Sequence, residues 1–333
     1  VKRKEDMEED ERIIREFKLI LNKMSLENFS ILAEQFLNVG IKNKELITKC
    51  IESIVEKAQM ESHFSIIYAN LCDELQKMEI PADDIEADEC KLKYIAEENA
   101  VPVACSIKNI VESTEEGVER TYDIKLTADK KIIKDVASTS LIAFVDQKKI
   151  LLNKCKDEFE KDYVRQLAEI EEEKDIDQDT RTEKMIICKR KYLGHIKFIG
   201  ELYKCRRVKT SIIIDCMNKC LAFESQKDLP DEERLECLCK LLETTGKDLE
   251  KHFKLLNKKL EKNKKIYNNY QDIIKKINQL KDNRQLGSRT RFMLQATMEL
   301  RDNDWKPRRA VEEGVETENN RYGYQLNFLT KIK

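Results

Sequence analysis

The residues of this chain that could do chemistry are its eleven cysteines, its three histidines and two dense runs of cations interleaved with tyrosine. Cys216 and Cys220 are four apart, so on a helix they share a face, while Cys237 and Cys239 are separated by one residue. A structural zinc site wants thiolates paired in CxxC-like knuckles, which neither spacing supplies. Cysteines odd in number and irregular in spacing read as free, mostly buried thiols of a reducing compartment. His63, His195 and His252 are scattered, and GxxxxGK[ST], HExxH and GxSxG are absent. The chain therefore reads as a non-enzyme with no cofactor or metal. The cation runs are more informative. Lys189, Arg190, Lys191, Arg206, Arg207 and Lys209, then Lys258, Lys259, Lys262, Lys264 and Lys265, form two basic runs that suggest faces with their own partner. Tyr192, Tyr203, Tyr267 and Tyr270 lie among them. The plainer reading of each tyrosine is a half-buried ring with a wet hydroxyl.

The elements that must carry these residues follow from composition. Among 333 residues there are eight glycines and four prolines, and 38% of residues are charged. A β-sandwich needs turn residues at short intervals, and a phosphate-cradling α/β enzyme needs glycine-rich loops, so both are disfavoured. What remains is a mainly helical protein. The net charge of −2 hides segregated blocks. Residues 79–119 carry −9, 168–183 carry −6, 184–209 carry +8 and 251–291 carry +10. No run of about 20 apolar residues is present to cross a membrane. The start, Val1-Lys2-Arg3-Lys4-Glu5, has no apolar signal segment and reads as an internal start in a longer, cytoplasmic protein.

Ile13, Ile14, Phe17, Ile20, Leu21 and Met24 recur with helical spacing and predict a helix over 5–24. Ser25 is placed to cap a second helix, ended by Gly40; Asn43 caps a third and Ser62 a fourth. Helical rhythm is predicted to resume at Leu141 and Phe144 and to run to Phe159. Further helices are predicted over 185–205 and 207–223, from Pro230 to a break at Gly246, and over 248–261, 264–281 and 289–301. Phe198, Ile199 and Leu202 read as core, and Gly194 and Gly200 as points of close helix approach. Residues 79–140 hold Pro81, Pro102 and Gly117 and two short extended segments, and read as an irregular insertion or long loop. Residues 169–183 read as an acidic loop or exposed helix, and 311–333 as a polar tail. About ten helices with a repeat near 40 residues predict an all-α superhelix, a HEAT-repeat solenoid of about five antiparallel pairs forming one domain over 1–310.

Three blocks are distinctive: Leu19-Ile20-Leu21-Asn22-Lys23-Met24-Ser25-Leu26-Glu27-Asn28-Phe29 with Phe64 to Cys72; Leu193 to Lys204; and Arg291-Phe292-Met293-Leu294-Gln295 through Trp305 to Arg309. With Leu151 to Glu160 and Leu235 to Lys247 between them, they closely resemble the middle domain of eukaryotic translation initiation factor 4 gamma, a HEAT-repeat domain. The resemblance covers roughly 10–310. It departs at 79–140, which is longer than the family has there, and at Ala296, where an acid is more usual.

The resemblance implies a translation initiation scaffold that binds and activates the DEAD-box RNA helicase initiation factor 4A, binds mRNA and supports ribosome recruitment. It makes the two basic runs, 189–209 and 258–265, candidates for RNA phosphates and the tyrosines among them candidates for stacking on bases. It implies that each end of the solenoid holds one helicase lobe and that other initiation factors engage regions outside this chain. It points to Asn22, Lys23 and Phe29 at one end and to Arg291, Phe292, Gln295 and Arg301 at the other, with Phe29 and Phe292 either exposed anchors or core. Trp305 with Lys306, Arg308 and Arg309 either packs on the end of the array or holds phosphates. The alternative is an RNA-binding HEAT adaptor of the mRNA-decay or nuclear cap-binding type, without helicase activation.

Overall fold

The structure is a computed structural model that describes residues 4–82, 85, 90–96, 100–111, 121–161, 163–174, 176–222, 229–256 and 261–307. It divides into two compact units, Val1–Ile213 and Ile214–Lys333.

In the first unit the apolar stripes form helices where the periodicity places them. α1 (Lys4–Lys23) buries Ile13, Phe17, Ile20 and Leu21, and α2 (Phe29–Leu37) buries Ala33 and Phe36. Phe17 meets Phe36 edge to face with centroids 4.6 Å apart. The turn between them is braced by Asn28 rather than capped by Ser25. Asn28 Oδ1 accepts the Ser25 N–H at 2.7 Å, and its Nδ2 donates to the Lys23 carbonyl at 2.8 Å. Asn43 does cap α3 (Lys44–Met60), accepting the Leu46 N–H at 2.9 Å. A short 3-10 turn, Ser62–Phe64, precedes α4 (Ser65–Leu75). After the insertion come α5 (Gln147–Glu160), capped by Asp146, then α6 (Tyr163–Glu172) and α7 (Gln178–Lys204), capped by Asp177. The acidic stretch 169–183 is thus the end of one helix and the start of the next. α8 (Thr210–Cys220) lies across the boundary between the units.

The insertion corrects the all-α expectation. Residues read as an irregular loop form four strands, β1 (Cys90–Tyr94), β2 (Val103–Val111), β3 (Thr121–Leu126) and β4 (Ile132–Ala137), and a fifth, β5 (Leu141–Val145), follows them. All pairings are antiparallel, in the order β4-β3-β2-β1-β5. β4 and β5 occupy opposite edges, yet only the 3-10 turn Ser138–Ser140 separates them in sequence. A flat sheet cannot satisfy that connection, so the sheet curls into an open barrel. Leu92, Cys105, Tyr122, Ile124, Val136, Leu141 and Ala143, from all five strands, share one core inside it. The Leu141 and Phe144 spacing that read as helical belongs to β5, where Leu141, Ala143 and Val145 are buried in strict alternation.

The barrel is tied into the helical array at its base. Ile80 and Ala82, beyond α4, pair with β5 through Val145 N–H to Ile80 O at 2.9 Å and Ala82 N–H to Ala143 O at 3.0 Å. The buried Gln147 amide donates to the Met78 carbonyl at 2.8 Å and accepts from Lys91 Nζ at 2.9 Å. One side chain at the start of α5 thereby fixes the end of α4 and the first strand.

In the second unit, α9 (Glu232–Leu255) runs unbroken through Gly246, followed by α10 (Glu261–Leu280) and α11 (Ser288–Asp302). Gly246 does not end a helix as the sequence suggests. It is buried because the Trp305 indole lies on it, and an added Cβ would sit 2.6 Å from Trp305 Cε2 and closer still to the ring's outer carbons. Trp305 thus packs on α9, while Arg308, Arg309 and 311–333 lie outside the described residues.

Candidate functional site

Asn22 and Lys23 are exposed at the end of α1, and Phe29 is half-buried at the start of α2. Two apolar residues unremarked in the sequence stand out beside them: Leu19 is 54% exposed and Ile31 is 64% exposed. Glu11, Ile14, Arg15, Lys18, Leu19 and Asn22 line a shallow groove along α1. The signal was present, since Leu19 and Ile31 fall off the apolar stripes of their helices.

On α11 the structure resolves the alternative for Phe292. Its ring is 69% exposed, an aromatic side chain with no core to fill. Gln295, one turn on, is exposed and donates to Glu299 at 3.1 Å. Arg289, three residues before Phe292, completes the stripe with its side chain 80% exposed, 3.7 Å from Glu236. Arg291 is half-buried and donates to Ser288 Oγ at 3.3 Å. Arg301 is committed inward: its Nε lies 2.7 Å from Glu250 Oε1, which also accepts the Tyr270 hydroxyl at 3.0 Å. That network ties α9, α10 and α11 together, so Arg301 orders the scaffold beneath the exposed stripe.

The start of α11 is held by Glu232 of α9. Its carboxylate accepts the Gly287 N–H at 2.9 Å and a short hydrogen bond from the Thr290 hydroxyl. Together they meet the unsatisfied donors of a helix N-terminus. The Thr290 hydroxyl, then the Gly287 N–H, hold the Glu232 carboxyl below its usual 4.5. A depressed carboxyl stabilises the fold fully above the unfolded pKa, and that stabilisation is lost as pH falls through the folded value. Glu232→Gln is expected to cost about 1 kcal/mol at neutral pH. It should also flatten the second unit's stability profile below pH 4.5, read by thermal melts across that range. An unchanged acid limb would show that Glu232 does not bear on α11.

The basic candidates divide. Arg190, Lys191 and Lys209 are exposed, Lys189 is half-buried, and Arg206 is exposed with φ of 60°. Arg207 is taken: its guanidinium pairs with Asp73 and donates to Gln76 Oε1 at 2.9 Å. Lys262, Lys264 and Lys265 are exposed on α10, and Lys258 and Lys259 lie outside the described residues. Burial removes Tyr203 and Tyr270 as platforms for bases, while Tyr192 and Tyr267 are half-buried against other rings. Tyr203 and Tyr270 are buried, Tyr192 stacks on Tyr163 at 4.5 Å, and Tyr267 packs edge-on to Phe253 at 5.6 Å.

Eight of the eleven cysteines are buried, and Cys90, Cys188 and Cys205 are half-buried. Burial pushes the thiols of Cys216, Cys220 and Cys239 up to about 12, far from the reactive thiolate. Among the described residues no group of three His, Cys, Asp or Glu is placed to hold a metal ion, and no helix is long and apolar enough to cross a membrane. His195 is buried and its Nε2 meets the Cys155 carbonyl at 2.9 Å, joining α7 to α5.

Comparison with known proteins places this architecture. The MIF4G domain family matches residues 14–88 and 130–304, leaving out β1, β2 and β3. Eukaryotic translation initiation factor 4G of Oryza sativa is 33% identical over 310 residues, and that of Cucumis melo 32% over 313. Eukaryotic translation initiation factor 4 gamma 1 of Mus musculus is 29% identical over 316 residues. Each alignment covers 92% of this chain but only 13–15% of the relative, so the chain spans a small part of those proteins. The MIF4G domain of Trypanosoma cruzi translation initiation factor EIF4G5 superposes with a TM-score of 0.44 at 16% identity, over 88% of this chain and 97% of that one.

Proposed function

The chain belongs to the MIF4G domain family, and on that footing we propose that it is a translation-initiation scaffold that grips a DEAD-box RNA helicase of the initiation factor 4A kind and holds mRNA beside it. The observation that carries the reading is the exposed Phe292 on α11, flanked by Arg289 and Gln295. An aromatic ring ringed by polar side chains is the usual form of a protein-binding anchor. The first unit offers its own contact surface in Asn22, Lys23, Leu19 and Ile31.

Two contacts on one chain make the second binding step intramolecular. A scaffold that prefers one arrangement of a two-lobed helicase shifts the population toward it, with no chemistry of its own. Arg190, Lys191, Lys262 and Lys265 supply phosphate contacts, which set affinity without reading sequence. The test is to mix the domain with purified helicase, RNA and ATP. A stable complex and faster RNA-dependent ATP hydrolysis are expected. RNA binding with neither effect would leave the adaptor reading in its place.

A further inference from the structure

The barrel is a folded body with its own core, and its first three strands lie outside the residues matched to the family. Fold alone assigns it no task, so its surface must be read residue by residue. On the outer face of β2, β3 and β4, Lys125 pairs with Ser106 on one side and Ile132 on the other. Both sheet irregularities lie against one residue, Asp123. The β2 register shifts between Ile107 and Asn109, which sets Lys108 out of the ladder, and the β4 register shifts across Lys134 and Asp135. Bulges re-aim side chains. Here each follows a core-facing isoleucine, Ile107 or Ile133, with an exposed lysine. Lys130 and Lys131 extend the set into the β3–β4 turn, and both are exposed.

Three acids, Asp123, Asp129 and Asp135, lie among these five lysines. Asp123 Oδ1 accepts the Asp135 N–H at 3.3 Å and Asp129 Oδ1 accepts the Lys131 N–H at 3.0 Å. Among the described residues no carboxylate pairs with Lys108, Lys125, Lys131 or Lys134. The insertion's other acids fall elsewhere in the sequence, before β1, between β1 and β2, and between β2 and β3.

We propose that the outer β2–β3–β4 face of the inserted barrel, carrying Lys108, Lys125, Lys130, Lys131 and Lys134, is a second RNA surface that binds the phosphate backbone of single-stranded RNA. Neighbouring strands stand about 4.8 Å apart, so lysines drawn from three adjacent strands and a turn form a compact array of cations on a rigid sheet. The face offers no aromatic ring, so contact is to phosphate and independent of base sequence. A polyanionic backbone satisfies several such cations at once and releases its condensed counterions in doing so.

The test uses the whole chain and a fluorescein-labelled 20-nucleotide oligouridylate, titrated over a range of salt. The triple variant Lys125→Gln, Lys131→Gln, Lys134→Gln is expected to weaken binding at low salt about tenfold or more and to lower the salt slope by about two, at ~0.7 per lost contact. The reversed set, Lys→Glu at the same sites, should weaken it further with the thermal melt unchanged. A parallel variant at Arg190 and Lys191 reads the α7 surface separately. Loss there alone, with the barrel variants binding as the parent does, overturns this inference and leaves the helical RNA surface standing. Capture of polyglutamate by the face with unchanged RNA affinity would also overturn it, in favour of an acidic protein partner.

Discussion

Gly194→Ala is expected to melt the first unit roughly 10 °C early. The sign is the telling part. Alanine is about 1 kcal/mol better than glycine inside a helix, so a glycine in open space would gain stability on substitution. At Gly194 of α7 the added Cβ would overlap the Gln59 carbonyl oxygen of α3 and lie 2.8 Å from its carbonyl carbon. Both are backbone atoms and cannot rotate aside. The same crossing holds the His195–Cys155 contact and the Gln59–Glu158 hydrogen bond at 3.2 Å. Separating α7 from α3 strains both. Overpacking of this kind costs on the order of 3 kcal/mol, and a domain of this size loses about 2–4 °C per kcal/mol. Calorimetry or circular dichroism reads the shift, and a variant as stable as the parent would mean that α7 does not approach α3 so closely.

Phe292→Ala should do the opposite, sparing the fold and removing function. A ring 69% exposed adds little to folding, so the melt is expected to move by less than about 0.5 kcal/mol. If the ring anchors the helicase, affinity should fall by about 2 kcal/mol, or ~30-fold, because such anchors carry a disproportionate share of binding energy. Gln295→Ala, on the same exposed stripe, should cost less. Retained affinity for the purified helicase after both changes would remove α11 from the interface. An early melt would instead place Phe292 in the core.

Most of the helical array was legible because its signal is local. The α1 stripe Ile13, Phe17, Ile20, Leu21 and the Asn43 cap need no knowledge of the rest of the chain. Two kinds of feature were not. Gly246 reads as a helix end because a glycine's usual reason is conformational. Its reason here is the Trp305 ring, 59 residues further along. The barrel was half-seen as extended segments at 101–107 and 120–126, but strand pairing is set by distant partners. With β4 and β5 on opposite edges, nothing local announces closure. At the candidate surfaces, residue type narrowed the choice and packing decided it. Phe292 faces out, Arg301 turns in to Glu250, and the interleaved tyrosines serve the fold.

The paired segment at the base of the barrel has an entropic consequence. Ile80 and Val145, and Ala82 and Ala143, are hydrogen-bonded across the mouth of the insertion, so its two ends leave the array side by side. Closing a flexible loop costs more as it lengthens. Here the array spans only the narrow gap between two neighbouring strands, whatever the number of residues beyond it. The joint between α4 and α5 is therefore a socket indifferent to the length of what it holds. A different folded body with adjacent termini, grafted between Ala82 and Ala143, would leave the helices in their present register.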